Sequence, residues 1–580
     1  MASKPSILLG ISFGHGDSSA ALIVDGCLIA AAEEERFQRV KHYALFPHRS
    51  IEYCLKHAQI QPKDVQVLAI AQRPLNQFRS RLRLAWSHPE LSAAKKVKNA
   101  IHQTQPFARE VKIAGLKRAK LIRVEHHLAH LHSARIMAGN DDISLLSFDG
   151  MGDFVSAAIG RSKGAGTEVL GRVLFPHSVG YFYTAMTMYL GFPKFGDEFK
   201  LMGLSSYGQP KYIHALRELI REDDKKFGFH LNLEAFPLLK HPMIFHVENA
   251  QPFAYPKYNH NLLTQIIGLS QRKPTDSITE AHWDLAKSIQ VRFEEIANHL
   301  LKQLHDVAPG TTLGLAGGCA HNSVWVGKIP QVSQFKKVFV APACHDAGIA
   351  VGAAALCSQT QITPEGRHWA LLGPHHADQP GKAGSMAFET KEHEFHNDEK
   401  LIEWLVEELC QKKVIGLFRG RMEFGPRALG SRSILADPRW DGMKDKLNAR
   451  VKHRESFRPF AASVLFEHQQ DWFVNSFFSP SMEAVFEVKQ PSRIPAVVHV
   501  DNTCRIQSVT RDTQPFYWDL VEAFRKKTGV PMLLNTSFND SEPIVCSEAD
   551  VWNCFAGTEL DVILIGSKAY TKVQVLAMTG

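Results

Sequence analysis

The stretch ISLLSFDG, residues 143–150, decides the fold that this chain is expected to adopt. Its apolar run from Ile143 to Phe148 predicts a buried strand, and the segment from Gly150 to Asp153 predicts a turn. VSAAIGR follows this turn, and EVLGRVLF follows a second turn that contains two glycines. The segment therefore predicts three consecutive strands joined by tight turns.

The same order of strands opens the chain between residues 6 and 36. SILLGIS precedes a turn at Gly14 to Asp17, SAALIVDG ends in a turn at Asp25 and Gly26, and CLIAAAEEE is the third strand. A three-strand opening that occurs twice is typical of a duplicated actin-like or sugar-kinase-like (ASKHA) α/β domain. In such a domain the glycine-rich turns of the two halves face each other across a nucleotide cleft. We therefore predict an α/β fold of this kind for the first part of the chain.

The stretch HHLAH, between the two copies, carries a candidate metal site. Residues four apart share one face of a helix, so His126 and His130 should project side by side while His127 points away. A helical histidine pair alone is more often a surface pair than a set of metal ligands. However, Asp149 ends the predicted strand and Asp346 lies in the glycine-flanked CHDAG, where a carboxylate is costly to bury without a cation or donors. Two imidazoles and two carboxylates would suit a divalent transition metal with open positions for substrate.

The length and composition indicate a globular protein with two domains. A chain of 580 residues is too long for a single core, and its 44% hydrophobic and 22% charged residues are ordinary for soluble proteins. The net charge of +8 is mild for this length and does not indicate a nucleic-acid partner. We predict domains at residues 1–360 and 396–580, with a polar, proline-containing linker at residues 361–395.

Cysteine usage and hydropathy predict a cytoplasmic protein that does not enter membranes. The nine cysteines are scattered, odd in number and without CxxC spacing, which is typical of reduced thiols. The start of the chain, at Lys4 and Pro5, lacks the apolar core of a signal peptide. The longest stretch of small apolar residues, Ala347 to Cys357, is too short to span a bilayer. Residues 74–125, which include AAKKVKNAI, are basic and helical in pattern, and a solvated helical surface is favoured there over a docking surface.

The stretch TLGLAGGCAHN predicts an adenine-nucleotide site. A strand runs into Gly317 and Gly318, and glycines let a backbone approach a nucleotide closely. A helix after Asn322 would offer its N-terminal amides to phosphate. A diglycine alone is weak evidence, but the CHDAG stretch follows about twenty-five residues later.

The segment from Arg419 to Arg458 predicts a phosphate-binding pocket in the second domain. It contains eleven Lys and Arg against five Asp and Glu. Aromatic residues, which a nucleic-acid groove would use for stacking, are few. The expected pocket residues on these short loops are Arg427, Arg432, Lys452 and Arg458.

Two predicted strands farther along the chain add candidates to this pocket. AVVHVDNTCRIQSV places Arg505 on a strand. PMLLNTSFN ends a strand, and Asn535, Ser537 and Asn539 in the following turn offer amide and hydroxyl groups to an anion.

Together these stretches resemble the NodU/CmcH-type O-carbamoyltransferase family. EFGPRALGSRSILADP followed by RESFRPFA is highly specific, and the matching motifs run from residue 7 to about residue 545. The other motifs are DSSAALIVDG with AEEERFQRVKH, HHLAH, SFDG, KLMGLSSYG, GGCAHN, the loop that contains Asp346, CRIQSV and LNTSFN.

The resemblance implies a chemistry divided between two domains. A YrdC-like C-terminal domain would activate carbamoyl phosphate with ATP and Mg²⁺, giving carbamoyl adenylate and pyrophosphate. The N-terminal domain would transfer the carbamoyl group to a hydroxyl of a small-molecule or saccharide acceptor. The positions that match the family's phosphate-binding residues are Arg427, Lys452, Arg458, Arg505 and Ser537. The positions that match its metal ligands, usually for iron(II), are His126, His130, Asp149 and Asp346.

The family resemblance also bears on the residues around the metal. Lys41 and Lys200 lie in matched motifs and are further candidate cations, and Asn322 matches a nucleotide-contacting position. Family members commonly carry a histidine immediately before the aspartate that matches Asp17, as a candidate general base for the acceptor hydroxyl. Here Gly16 occupies that position and His15 stands one residue earlier, so His15 and Asp17 are both candidates for this role.

Two other functions are alternatives to this hypothesis. A tRNA-modifying enzyme of the threonylcarbamoyl type would use bicarbonate and threonine and would bind tRNA with a steep salt dependence. A non-catalytic, nucleotide-dependent interaction protein would lack a metal and would release no pyrophosphate. The family implies a dimer. The sequence does not distinguish an aminoglycoside, cephem, polyketide or oligosaccharide acceptor.

Overall fold

The computed structural model describes residues 5–74, 76–87, 107–139, 142–241, 244–381 and 388–573. The chain divides into an N-terminal unit, residues 1–365, and a C-terminal unit, residues 366–580. The predicted basic helix AAKKVKNAI and residues 382–387 of the predicted linker lie outside the described residues.

The N-terminal unit combines two larger sheets and two small hairpins with helices. Its strands are β1 (Ile7–Ser12), β2 (Ser19–Val24), β3 (Cys27–Glu33), β4 (Val67–Ile70), β5 (Lys120–Arg123), β6 (Ser144–Gly152), β7 (Val155–Lys163), β8 (Gly166–Leu174), β9 (Ile220–Glu222), β10 (Phe229–Leu231), β11 (Ile244–Glu248), β12 (Gln251–Tyr255), β13 (Thr312–Ala316), β14 (Lys337–Val340) and β15 (Thr363–Pro364). Its helices are α1 (Glu34–Gln38), α2 (His48–His57), α3 (Phe78–Ser87), α4 (His126–Ala138), α5 (Val179–Tyr189), α6 (Glu198–Leu204), α7 (Ile213–Leu219), α8 (His260–Ile267), α9 (Glu280–Val307), α10 (Ser323–Val326), α11 (Ile329–Val332) and α12 (Ile349–Ala355).

The two larger sheets repeat one topology, as the two three-strand openings predicted. In the first sheet the order is β15-β3-β2-β1-β4-β5, and in the second it is β14-β13-β6-β7-β8. In each sheet the first strand pairs antiparallel with the second and parallel with a later strand, β4 or β13. The predicted duplicated α/β arrangement is therefore confirmed.

Helix α12 explains the small apolar residues that the sequence shows between Ala347 and Cys357. A Cβ atom at Gly10 of β1 would collide with the backbone carbonyl of Ala350, and a Cβ atom at Gly352 would collide with that of Ala129 in α4. The helix therefore packs at close range against a strand on one side and against the histidine-bearing helix on the other. This packing holds the loop that contains Asp346 next to α4.

The C-terminal unit is built on one mixed sheet. Its strands are β16 (Thr390–Glu394), β17 (Ile415–Phe418), β18 (Arg432–Ala436), β19 (Ala461–Leu465), β20 (Ala484–Glu487), β21 (Thr503–Val509), β22 (Met532–Ser537), β23 (Val562–Ile565) and β24 (Lys568–Lys572), and their order is β16-β24-β23-β17-β18-β22-β19-β21-β20. Its helices are α13 (Asp398–Cys410), α14 (Met443–Arg450), α15 (Gln469–Trp472), α16 (Pro515–Thr528) and α17 (Glu548–Gly557).

Two local features, in the predicted linker and after Asn322, differ from or extend the sequence expectations. The predicted linker, residues 361–395, contributes β15 to a sheet of the N-terminal unit and β16 to the sheet of the C-terminal unit. The helix expected after Asn322 is present but short, the four-residue α10. The nine cysteines are free thiols. Within the described ranges, the structure contains no helix with the length and apolar character needed to cross a membrane.

Candidate functional site

Four side chains that are far apart in the sequence converge in the N-terminal unit. The Nε2 atoms of His126 and His130 lie 3.1 Å apart. Asp149 Oδ2 is 3.3 Å from His130 Nε2, and Asp346 Oδ1 is 3.3 Å from His126 Nε2. One nitrogen or oxygen atom from each of the four residues lies within 4.8 Å of the others. The structure thus brings together the four candidate metal ligands.

The secondary structure accounts for this convergence. Helix α4 begins at His126, so its first and fifth residues share one face, while the two ring nitrogens of His127 lie 2.9 Å from Ser147 Oγ and from the Val155 carbonyl oxygen. The expected orientation of the three histidines is therefore confirmed. Asp149 does not end β6 but lies where its regular pairing with β7 is interrupted after Phe148. This interruption frees the backbone around Asp149 from the regular ladder.

Glycines make room for the converging side chains. A Cβ atom on Gly152 would lie 2.5 Å from His126 Nε2, and one on Gly318 would lie 2.9 Å from Asp149 Oδ1. Gly317 has φ +91° and packs against the backbone of Phe148. The diglycine, which the sequence analysis assigned to nucleotide approach, therefore also has a packing role beside the candidate metal site.

The electrostatics of the four residues suit a cation. Burial alone would lower the pKa of His126, but Asp346 and Asp149 raise it to about 10. Burial and the nearby Asp346 act to raise the pKa of Asp149, yet hydrogen bonds with His126 and His130 hold it at about 2. Asp346 Oδ1 is buried, and its contacts with His126 Nε2 at 3.3 Å and His130 Nε2 at 3.4 Å do not have the geometry of hydrogen bonds within the described residues. A cation at this point would therefore complement a buried oxygen that protein donors leave unsatisfied.

A second polar group lies around Asp17, next to the loop that carries Asp346. His15 Nδ1 is 2.7 Å from Asp346 Oδ2, so His15 contacts a candidate ligand directly. Asp17 Oδ1 lies 2.8 Å from Nδ1 of His42. Burial would raise the pKa of Asp17, but the charges of His42 and His345 lower it to about 2. Burial would lower the pKa of His42, but Asp17 raises it above the ordinary value. Sequence reasoning missed His42, although it follows Lys41 in the motif AEEERFQRVKH.

The other candidates of the N-terminal unit have partners within the protein. The Lys41 side chain is exposed. Lys200 Nζ lies 3.2 Å from Asp197 Oδ1. Asn322 Oδ1 accepts hydrogen bonds from the Trp325 backbone and from Gln290 Nε2, and its Nδ2 donates to Gln290 Oε1 at 2.9 Å. Asn322 therefore fixes the start of α10.

The C-terminal unit brings Lys452 and Ser537 together. Lys452 Nζ, on a buried side chain, donates to the Ser537 carbonyl oxygen at 2.8 Å and to the Asn539 side chain and backbone, each at 2.7 Å. In contrast, Arg432 donates to backbone carbonyl groups, including that of Pro374 at 3.0 Å, and is completely buried. The expectation that Arg432 belongs to the phosphate pocket is therefore wrong, because its guanidinium stabilises loops inside the unit.

Four other guanidinium groups influence one another. Burial and then the charge of Arg427 lower the pKa of Arg505 well below its ordinary value, and Arg454 and Arg458 add to this effect. Burial and the charge of Arg458 lower the pKa of Arg454 to about 9. We call these residues, Arg427, Arg454, Arg458 and Arg505, the arginine cluster. Sequence reasoning missed Arg454, although it lies between Lys452 and Arg458 in KHRESFRPFA.

Comparison with known families identifies the class of protein. Residues 7–355 match the family model described as "Carbamoyltransferase N-terminus", and residues 406–572 match "Carbamoyltransferase C-terminus". The chain belongs to the carbamoyltransferase family and is an enzyme that transfers carbamoyl groups. The resemblance drawn from the sequence motifs is thus confirmed, and the alternative of a non-catalytic interaction protein is set aside.

Individual relatives agree with this assignment. Nodulation protein NolNO of Sinorhizobium fredii is 37% identical, over 97% of this chain and 80% of that protein. Nodulation protein NolO of Bradyrhizobium diazoefficiens is 35% identical, over 76% of this chain and 78% of that protein. The 3'-hydroxymethylcephem-O-carbamoyltransferase of Streptomyces clavuligerus is 30% identical, over 48% of this chain and 52% of that protein.

Proposed function

We propose that the protein is an ATP-dependent O-carbamoyltransferase. Residues 366–580, as a YrdC-like domain, would hydrolyse carbamoyl phosphate with one water to carbamate and phosphate. The carbamate oxygen would then attack the α-phosphorus of Mg²⁺-bound ATP, giving carbamoyl adenylate and releasing pyrophosphate. Residues 1–365 would transfer the carbamoyl group to a hydroxyl of a small-molecule or saccharide acceptor. This proposal depends on one combination of features in a carbamoyltransferase. The C-terminal unit contains the arginine cluster, and the N-terminal unit contains the four converging candidate metal ligands.

The arginine cluster supports the activation step. Four guanidinium groups near one another repel, and the lowered pKa values of Arg454 and Arg505 reflect this repulsion together with burial. A polyphosphate would relieve the repulsion and would accept charge-assisted hydrogen bonds from several donors at once. ATP, carbamoyl phosphate and pyrophosphate all have this chemistry. Lys452, held against Ser537, would add a further positive charge near the same anions.

The four converging residues support a metal-assisted transfer step. His126, His130, Asp149 and Asp346 offer the mixed nitrogen and oxygen ligands that suit Fe²⁺ and similar ions. When bound, a divalent metal would supply positive charge that neutralises the phosphate of the leaving nucleotide. His15, 2.7 Å from Asp346, would act as a positioning residue that orients this carboxylate.

The pair of Asp17 and His42 supports deprotonation of the acceptor hydroxyl. Asp17 Oδ1 lies 2.8 Å from His42 Nδ1, which leaves His42 Nε2 to accept a proton from an alcohol. The carboxylate would stabilise the imidazolium that results. In this proposal Asp17 orients the base, and His15 is occupied by Asp346. His42→Gln should then lower the transfer rate by about 100-fold, a typical size for the loss of a general base. Acceptor-independent release of pyrophosphate should be unchanged.

The decisive experiment measures pyrophosphate release from ATP without acceptor. With purified full-length protein and Mg²⁺, release should depend on carbamoyl phosphate, and hydroxylated compounds can then be screened for gain of one carbamoyl group. Lys452→Met should abolish the release, while Lys400→Met, a change at an exposed ion pair with Glu403, should not. Nucleotide turnover that depends on bicarbonate and threonine, together with salt-sensitive tRNA binding, would contradict the proposal and favour the threonylcarbamoyl-type alternative.

A further inference from the structure

A carbamoyltransferase must distinguish its donor from other acyl phosphates. Carbamoyl phosphate and acetyl phosphate have nearly the same size and charge, because an amino group in one replaces a methyl group in the other. Only the carbamoyl group carries N–H donors. A site that selects it therefore needs a fixed hydrogen-bond acceptor beside the phosphate-binding groups.

A chain of buried polar side chains in the C-terminal unit has a determined hydrogen-bond direction. It begins at the Leu429 carbonyl oxygen, which accepts from Gln507 Nε2 at 2.8 Å and from Gln514 Nε2 at 2.6 Å. Because a carbonyl group only accepts, these amide nitrogens are donors, and Gln507 Oε1 must face the other way. Gln507 Oε1 accepts from Ser463 Oγ at 2.7 Å.

This chain determines the orientation of the Asn535 side chain. Asn535 Nδ2 donates to the Ala428 carbonyl oxygen and to Gln507 Oε1, each at 3.2 Å. Both partners only accept, so exchanging the nitrogen and oxygen of Asn535 would place oxygen against oxygen. Asn535 Oδ1 therefore has a fixed position. It is buried, and no hydrogen bond to it is formed within the described residues, although the hydroxyl of Tyr517, itself without a hydrogen-bond partner there, adjoins the Asn535 side chain.

Asn535 lies on the same face of the sheet as Arg505, with one strand, β19, between them. Asn535 pairs across the sheet with Ala461, and Ala461 pairs with Arg505, so Asn535 and Arg505 occupy one row on one face of the sheet. Asn535 Nδ2 donates to the carbonyl oxygen of Ala428, and Ala428 directly follows Arg427 in the chain. Arg505 Nε is also buried without a hydrogen-bond partner in the described part of the chain. An unsatisfied acceptor and an unsatisfied cationic donor thus lie in the same region.

We propose that Asn535 determines donor specificity: its Oδ1 accepts an N–H of the carbamoyl group while the arginine cluster binds the phosphate. This inference rests on the proposed function, in which carbamoyl phosphate is the donor. The ligand class is an acyl phosphate whose acyl group carries an NH₂. The N–H of the carbamoyl group then donates a hydrogen bond to Asn535 Oδ1. Acetyl phosphate has a methyl group in the position of this NH₂, so it leaves the buried oxygen unsatisfied.

The first test uses the unmodified full-length enzyme. Acetyl phosphate is titrated as a competitor of carbamoyl phosphate in the pyrophosphate-release assay without acceptor. It should bind at least about 30-fold more weakly than carbamoyl phosphate, because a site built to hydrogen-bond an N–H rejects an analogue that lacks it. Equal affinity for the two acyl phosphates would overturn the inference.

The second test asks whether Asn535 causes the preference. Asn535→Leu should weaken the binding of carbamoyl phosphate by at least about 30-fold and leave the binding of acetyl phosphate nearly unchanged. The preference for carbamoyl phosphate should therefore disappear. Gln514→Leu is the matched control, because it disturbs the same buried chain but leaves Asn535 Oδ1 in place; it should retain the preference. Tyr517→Phe is a second control, since the Tyr517 hydroxyl adjoins Ser463 and Asn535, and it should also retain the preference.

The outcomes separate this inference from the proposed function. If the unmodified enzyme shows no release dependent on carbamoyl phosphate, the proposed function fails. If the unmodified enzyme is active but Asn535→Leu weakens the binding of both acyl phosphates equally, Asn535 has only a structural role. In that case the inference alone fails. A loss of preference in Tyr517→Phe would assign the selection to Tyr517 and would equally overturn it.

Discussion

Replacing Gly152 with alanine tests the candidate metal centre without altering any of its four side chains. The added Cβ atom would lie 2.5 Å from His126 Nε2 and closer still to the ring carbons, whereas ordinary contacts begin at 3.4 Å. The His126 ring would have to move by about 1.3 Å to restore an ordinary contact, because its carbon atoms lie closer to the added Cβ than Nε2 does. Helix α4 and the neighbouring carboxylates surround this buried ring, so it has little room to do so.

The expected result is a large loss of metal affinity with a modest loss of stability. Metal–ligand distances tolerate only about 0.2 Å of error, so a shift of this size should weaken binding of Fe²⁺ or Co²⁺ by about 100-fold. Overpacking of this kind costs about 1–3 kcal/mol of folding free energy. Anaerobic titration with Co²⁺, followed by its visible absorption, and elemental analysis of the purified protein would measure the effect.

Gly166→Ala is the matched control for Gly152→Ala. Gly166 begins β8 of the same sheet, and its added Cβ would meet the Lys163 carbonyl oxygen at an ordinary 3.5 Å. Circular dichroism would establish that both variants are folded, and release of pyrophosphate by the C-terminal unit should be the same in both. If folded Gly152→Ala binds Co²⁺ as tightly as Gly166→Ala, His126 is not a metal ligand and the reasoning is refuted.

Three further predictions concern buried charges. Burial, and then the charge of Arg135, lowers the pKa of His132 from 6.5 to about 3. The unfolded state therefore binds more protons below pH 6.5, and the folding stability falls there. His132→Gln should remove about 2 kcal/mol of the difference in folding stability between pH 7.5 and pH 5, measured by urea unfolding. Burial raises the pKa of Glu483 from 4.5 to about 7, so folding stability is lost as the pH rises through 7. Glu483→Gln should therefore stabilise the protein at pH 8 by up to about 3 kcal/mol and have little effect at pH 4.5. Arg454→Met removes one member of the arginine cluster, so it should weaken pyrophosphate binding by about 10-fold. Arg511→Met, at an exposed ion pair, should not.

Much of the N-terminal fold was predictable because its signals are local. The alternation of apolar stretches and turns around Phe148 and around Gly14 follows from strand geometry within a few residues. The spacing of His126 and His130 likewise follows from one turn of helix. The short α10 was not predictable in this way, because the strand–diglycine pattern at Gly317 fits both a nucleotide loop and close packing against β6.

The C-terminal unit shows where such local signals are insufficient. A basic segment indicates that cations are near one another in the sequence, but not which of them point inward. Arg432 binds backbone carbonyl groups, whereas Arg454 belongs to the arginine cluster, and their local sequences do not distinguish the two roles. The direction of the Asn535 amide depends on Leu429 and Gln507, which are distant in the sequence.

The sequence by itself determined the duplicated strand pattern, the helical histidine pair and the family to which the enzyme belongs. Only the tertiary structure decided that Asp17 pairs with His42, that His15 contacts Asp346, and that Asn535 Oδ1 is a fixed, unsatisfied acceptor. The physical reason is the distance along the sequence over which the determining interactions act. Periodicity and turn chemistry act over a few residues, whereas convergence of charges and the direction of hydrogen bonds arise only when distant strands and loops pack together.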